Sequence, residues 1–103
     1  MQRTITIYGR TVKSQTGNTF VVYSYRGKND RFFSVRFTKN VRVAPPTGYV
    51  KITFNLEDVS LSRASSDMFN DILWIDNIIH CEEDAEAIAK AKQRRVDALN
   101  EII

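Results

Sequence analysis

The sequence predicts a mainly β domain that ends in one α-helix. Three observations carry this expectation. Short segments of alternating apolar and polar residues recur up to Cys81, separated by turn residues. From Glu82 onward the apolar spacing becomes helical, and no glycine or proline occurs after Gly48 to stop a helix. The length of 103 residues allows one core, and 43% hydrophobic residues suffice to fill it.

Residues 4–13 set Ile5, Ile7 and Val12 among Thr4, Thr6, Tyr8 and Arg10, which predicts a half-buried strand. Gly9 interrupts it and marks a bulge or bend. Gln15-Thr16-Gly17-Asn18 is a turn, Phe20 to Tyr25 a second strand, Gly27-Lys28-Asn29-Asp30 a second turn, and Phe32 to Thr38 a third strand. Ala44-Pro45-Pro46-Thr47-Gly48 is a break, because proline cannot donate to a ladder. Tyr49 to Leu56 is a fourth strand, and Val59-Ser60-Leu61 extends it after a bend at Glu57-Asp58. Ser62 to Asn70 is polar and reads as a loop. Asp71 to Cys81 suits a fifth strand, buried on both faces for part of its length. Glu82-Glu83-Asp84 places negative charge where a helix would begin, and Ala85, Ile88, Ala89, Val96, Leu99 and Ile103 continue it as a stripe.

Five curved strands with tight early hairpins and a terminal helix predict an OB-like barrel over residues 1–81, with a C-terminal helix over 82–103, in a single domain. The helix usual between the third and fourth strands of that fold has no room in residues 39–48. An α+β sheet with one packed helix is the alternative. The terminal helix is expected either to dock on the barrel or to pair with a second copy as a homodimer.

The net charge of +3 conceals an asymmetry. Residues 1–63 hold eleven Lys and Arg against three acids, a local charge of +8; residues 64–103 hold four against nine, a local charge of −5. A basic half attracts phosphates by releasing condensed counterions, and solubility charge spread over a sheet is the bland counterpart. The N-terminus lacks a signal-peptide pattern and no segment is apolar enough to span a bilayer, so a soluble, cytoplasmic protein without a membrane partner is expected.

If the better-packed side of each strand points inward, Ile5, Ile7, Phe20, Val22, Phe33, Val35, Phe37, Val50, Ile52, Phe54, Leu73 and Ile75 form the core. The opposite face then carries Tyr8, Arg10, Tyr23, Tyr25, Phe32, Arg36, Tyr49, Lys51 and Trp74. Aromatic rings interleaved with cations suit single-stranded nucleic acid, because rings stack on bases while cations track phosphates. Two points stay open: Val21, Tyr23 and Tyr25 also fit the core, and Trp74 lies in an apolar run that fits either place.

On Tyr8, Phe32, Arg36, Tyr49 and Trp74, and on the strand pattern of about residues 3–80, the chain resembles the small OB-fold single-stranded-DNA-binding proteins of phages and mobile elements. That resemblance implies a non-enzymatic coat for transient single strands in DNA replication or recombination, with RNA the other candidate ligand. The rival expectation is a phage or mobile-element module that binds another protein through the same aromatic patch.

No catalytic constellation is legible. His80 and Cys81 are adjacent, so a strand points them to opposite faces, and the expectation is a strand-end histidine beside a small buried thiol. Glu57, Asp58, Asp67, Asp71 and Asp76 lack a metal-binding spacing and read as loop caps and solvated charge. Gly9 and Gly17 do not form a phosphate loop. No enzyme activity, metal or cofactor is therefore expected.

Overall fold

A computed structural model of the chain describes residues 1–64 and 70–103. The described residues form β1 (Gln2–Lys13), β2 (Thr19–Arg26), β3 (Phe32–Phe37), β4 (Gly48–Asn55), β5 (Val59–Ser62), β6 (Asp71–Ile75), β7 (His80–Glu83) and α1 (Ala85–Ile102). They are mainly β with one C-terminal helix, as the alternation and the change of spacing predict. The five-stranded barrel is corrected: among the described residues seven strands lie in one sheet of order β5-β6-β3-β2-β1-β4-β7, with β5 and β7 at its two ends. Asp67 and the middle of the expected 62–70 loop lie outside the described residues.

The two extra strands arise by division of the last two expected ones. A 3-10 turn at Leu56–Asp58 separates β4 from β5. The expected strand from Asp71 to Cys81 breaks at Asp76. There the carboxylate accepts the Thr38 hydroxyl at 2.7 Å and Asn40 Nδ2 at 2.8 Å, and the backbone N–H donates to the Asp58 carbonyl at 2.8 Å. These bonds hold the chain at the end of β6, and it then crosses to pair β7 with β4. Among the described residues all pairings are antiparallel except β3 with β6.

The sheet is strongly curled. In a flat sheet five strand spacings would separate β4 from β5, about 24 Å. The four-residue step from Asn55 to Val59 spans at most about 14 Å, so the two strands are brought together only by curvature. Ile7, Tyr23, Val35, Val50, Ile52, Phe54 and Ile75 pack inside the curl.

The parity of β2 reverses the expectation. Tyr23 is buried, packs edge-on against Phe37 at 5.1 Å, and donates its hydroxyl proton to the Pro45 carbonyl at 2.5 Å. Burial raises its pKa, with Cys81 adding a smaller push in the same direction. Tyr25 is half-buried and stacks on Phe33 at 6.0 Å. Gly9 makes this possible. It lies directly opposite Tyr23, and a Cβ there would sit 2.8 Å from the tyrosine ring. Phe20 and Val22, expected in the core, take the other face, and Phe20 is 50% exposed.

The helix begins later than its acidic run suggests. Glu82 and Glu83 belong to β7, and Asp84 is the N-cap. The Asp84 carboxylate accepts the Ala87 N–H at 2.9 Å and the Thr6 hydroxyl at 2.5 Å. The Thr6 bond, followed by the bond from Ala87, holds the carboxyl below the usual aspartate value. Only Ala87, Ile88 and Ala91 of α1 are half-buried; the rest of the helix is exposed.

Candidate nucleic-acid interface

The face opposite the core is built by strand alternation. Tyr8 pairs in register with Tyr49 on β4 and with Ser24 on β2; Ser24 pairs with Ser34 on β3. Two residues along, Arg26 pairs with Phe32 in one direction, and Arg36 pairs with Trp74 in the other. A single surface therefore runs across five adjacent strands, β4-β1-β2-β3-β6, about 19 Å at ordinary strand spacing.

This surface holds two clefts. One, of about 600 Å3, is lined by Tyr8, Tyr49, Phe32, Arg26, Ser24 and Arg94 among others. The Tyr8 and Tyr49 rings lie 4.7 Å apart and are tilted by 43°. The Arg26 guanidinium stands over the Phe32 ring at 4.7 Å, and Phe32 is exposed. The other cleft, of about 630 Å3, is lined by Trp74, Arg36, Ser34, Phe20 and Val22 from this face, and it reaches past the Thr38–Ala44 loop to Val21, Tyr23, Val35 and Phe37 on the core side. The Arg36 guanidinium stands 5.8 Å from the half-buried Trp74 ring. Ser24 lines the first cleft and Ser34 the second, and these two residues are cross-strand partners, so the clefts adjoin.

Of the nine residues expected on this face, Tyr8, Phe32, Arg36, Tyr49 and Trp74 line the clefts. Arg10 is exposed on the same side of β1, opposite Val22, but lines neither cleft. Lys51 shares the face, yet it lies opposite Glu82 on β7, and its charge acts on the Asp84 carboxyl. Tyr23 and Tyr25 are withdrawn to the core side, as a shift of one residue in a period-two pattern requires.

Arg26 and Arg94 were not among the expected residues. Arg26 is legible in hindsight, since Ser24 and Arg26 follow Phe20 and Val22 once β2 is flipped. Arg94 has no local signal. It reaches the cleft only because Asp84 ties the start of α1 to Thr6 on β1.

Two of the carboxylates near the sheet, Asp71 and Asp76, have structural partners. Asp71 accepts the Ala64 N–H at 2.7 Å and pairs with Arg31; the Ala64 bond, more than the neighbouring arginine charge, lowers its pKa. Hydrogen bonds from Thr38 and then Asn40 lower that of Asp76. His80 and Cys81 oppose Thr53 and Ile52 on β4, so they point to opposite faces. Cys81 is exposed rather than buried, because β7 is an edge strand. Among the described residues no helix is long and apolar enough to cross a membrane.

A scan against protein-family models, a search of curated proteins and a search of solved structures each give no match.

Proposed function

We propose that the protein binds single-stranded DNA without reading its sequence, by stacking bases on the aromatic rings of the two clefts and neutralising phosphates with the arginines between them. The observation that carries this reading is the pairing of ring and cation in both clefts: Tyr8, Tyr49 and Phe32 with Arg26 and Arg94 in one, Trp74 with Arg36 in the other. Each base stacked on a ring contributes about 1–3 kcal/mol, and every base offers a π-face, so the mode tolerates any sequence. The serines between the clefts supply small polar residues over which a backbone can pass from one stacking site to the next.

The same reading takes the curled sheet as OB-like. Support comes from counting β4 and β5 as one bent strand. The ladder then runs β1-β2-β3-β6 and returns through β5 and β4 to β1, with β3 and β6 parallel. On this view β7 and α1 are additions at one edge, and Arg94 of the helix becomes part of a wall of the binding face.

The test is a titration with fluorescein-labelled oligo-dT of about 30 nucleotides, which covers several strand-binding units. Anisotropy and Trp74 fluorescence are read together at low and moderate salt. Expected are a rise in anisotropy that weakens steeply with salt and quenching of the single tryptophan. Absence of binding at low salt removes the proposal. An equal response to oligo-rU would widen it from DNA to single strands of either kind.

A further inference from the structure

The back of α1 carries a seam that no described residue covers. Ala87, Ile88 and Ala91 face the sheet, and Arg94 follows them into the cleft. Turned about 115° from the middle of Ala87, Ile88 and Ala91, at about 100° per residue, run Ala85, Ala89, Lys92, Val96 and Leu99, with Ile103 just past the helix end, all six exposed. Val96 and Leu99 are 47% and 48% exposed and Ile103 is 97% exposed. Their spacing alternates four and three throughout, which is the heptad spacing of a coiled-coil seam rather than the broader stripe of a helix lying on a globular core.

We propose that this seam pairs with the same seam of a second copy, forming a parallel two-stranded helix dimer. The residue types argue for two strands and for self-pairing. Val96 occupies an a position and Leu99 a d position, with Ile103 next in the spacing just past the helix end, and β-branched a with leucine d favours a two-stranded parallel arrangement. The flanking pair on the free part of the helix carries no like-charge clash: Arg95 meets Asn100 of the second copy. Lys92, at a d position, is the single polar residue in the seam; it faces its own counterpart there and weakens the pair.

The exposed area points the same way. A compact monomer of 11.9 kDa exposes about 6,000 Å2, whereas this chain exposes 7927 Å2. Its radius of gyration is 15.3 Å, against about 13 Å for a compact chain of this length. The surplus, taken over the whole molecule, exceeds the roughly 800 Å2 that one partner contributes to a standard interface. Fewer than three heptads make a short seam, so the pair is a weak one whose population follows concentration. Because Arg94 lies on the other side of the helix, pairing leaves both binding faces open.

Sedimentation equilibrium of the full chain between about 2 and about 200 μM, without nucleic acid, tests the dimer, since a self-association must follow mass action. The mean mass is expected to climb from 11.9 kDa toward twice that value. Leu99→Asp is expected to hold it at 11.9 kDa with an unchanged near-ultraviolet spectrum, since Leu99 is exposed and outside the core. Lys92→Leu is expected to tighten the dimer by about tenfold or more, because it completes the apolar seam. In a Cys81→Ser background, Leu99→Cys under oxidation by dissolved oxygen is expected to form a disulfide with its own counterpart, which an antiparallel pair in the same register would not allow. A mass fixed at the monomer value overturns the proposal, as does a dimer indifferent to both Leu99→Asp and Lys92→Leu; failure of the Leu99→Cys variant to crosslink overturns its parallel arrangement.

Discussion

Phe32 is exposed beneath Arg26, so its ring faces solvent in the protein alone and has little to lose in stability when truncated. Phe32→Ala and Tyr49→Ala are each expected to weaken oligo-dT binding by about 1–3 kcal/mol, read by anisotropy, with the thermal midpoint nearly unchanged for Phe32→Ala. Trp74→Ala should do the same, with a folding control because the ring is half-buried. The cations divide differently. Lys51 already faces Glu82 and the Asp84 carboxyl, whereas Arg94 lines the cleft. Arg94→Ala is therefore expected to reduce the slope of log affinity against log salt by about 0.7, the value of one phosphate contact on a single strand. Lys51→Ala should reduce it less. On the other face, Gly9→Ala would press a methyl group into the Tyr23 ring and is expected to cost about 1–3 kcal/mol in a urea melt.

At the scale of elements, α1 is attached through its first turn. Asp84 both caps the helix and receives the Thr6 hydroxyl. Those bonds lower its pKa, so the carboxylate contributes stability above the ordinary aspartate value. That contribution declines as pH falls below the ordinary value and is gone once pH passes the lowered one. Circular dichroism at 222 nm from neutral pH to strong acid should show helix loss in that acid window, and Asp84→Asn should flatten the pH dependence. Elements were also where the sequence was most legible. β1, β3 and β4 alternate cleanly, so their inward residues Ile5, Ile7, Val35, Val50, Ile52 and Phe54 follow from parity alone. β2 does not, because Phe20-Val21-Val22-Tyr23 is apolar on both parities. The deciding contact lies across the ladder, where Gly9 leaves room for only one large ring. The break at Asp76 was equally hidden, since its partners Thr38, Asn40 and Asp58 are distant in sequence. Arg94 needed the docking of a whole helix, which no local pattern encodes.

For the molecule as a whole, part of the charge asymmetry of the sequence persists in space, although Arg94 of the acidic half joins the clefts. The basic strands carry the clefted face, while the acids of β7 and Asp84 gather beside β4. Binding driven by that face should vanish for short ligands that cannot bridge both clefts. Across about 19 Å a strand of roughly four nucleotides is the least that fills both, at the lower end of what one such unit binds. A series from dT2 to dT12 is expected to gain affinity steeply up to about that length and gradually afterwards.

The bend between β4 and β5 also governs how the chain reaches its native state. β1 must pair Gln2 with Asn55, and β3 must pair Phe33 with Asp71, before the curl encloses its core. Contacts so remote in sequence give a high contact order, which places refolding in milliseconds to seconds rather than microseconds. During synthesis, at about 5–20 residues per second, β1 waits several seconds for β4 to be made, with Ile5 and Ile7 shielded only by whatever meets them first. A stopped-flow refolding trace of Trp74 fluorescence should therefore be slow, and a nascent chain halted before β4 should be a better target for chaperones than the finished one.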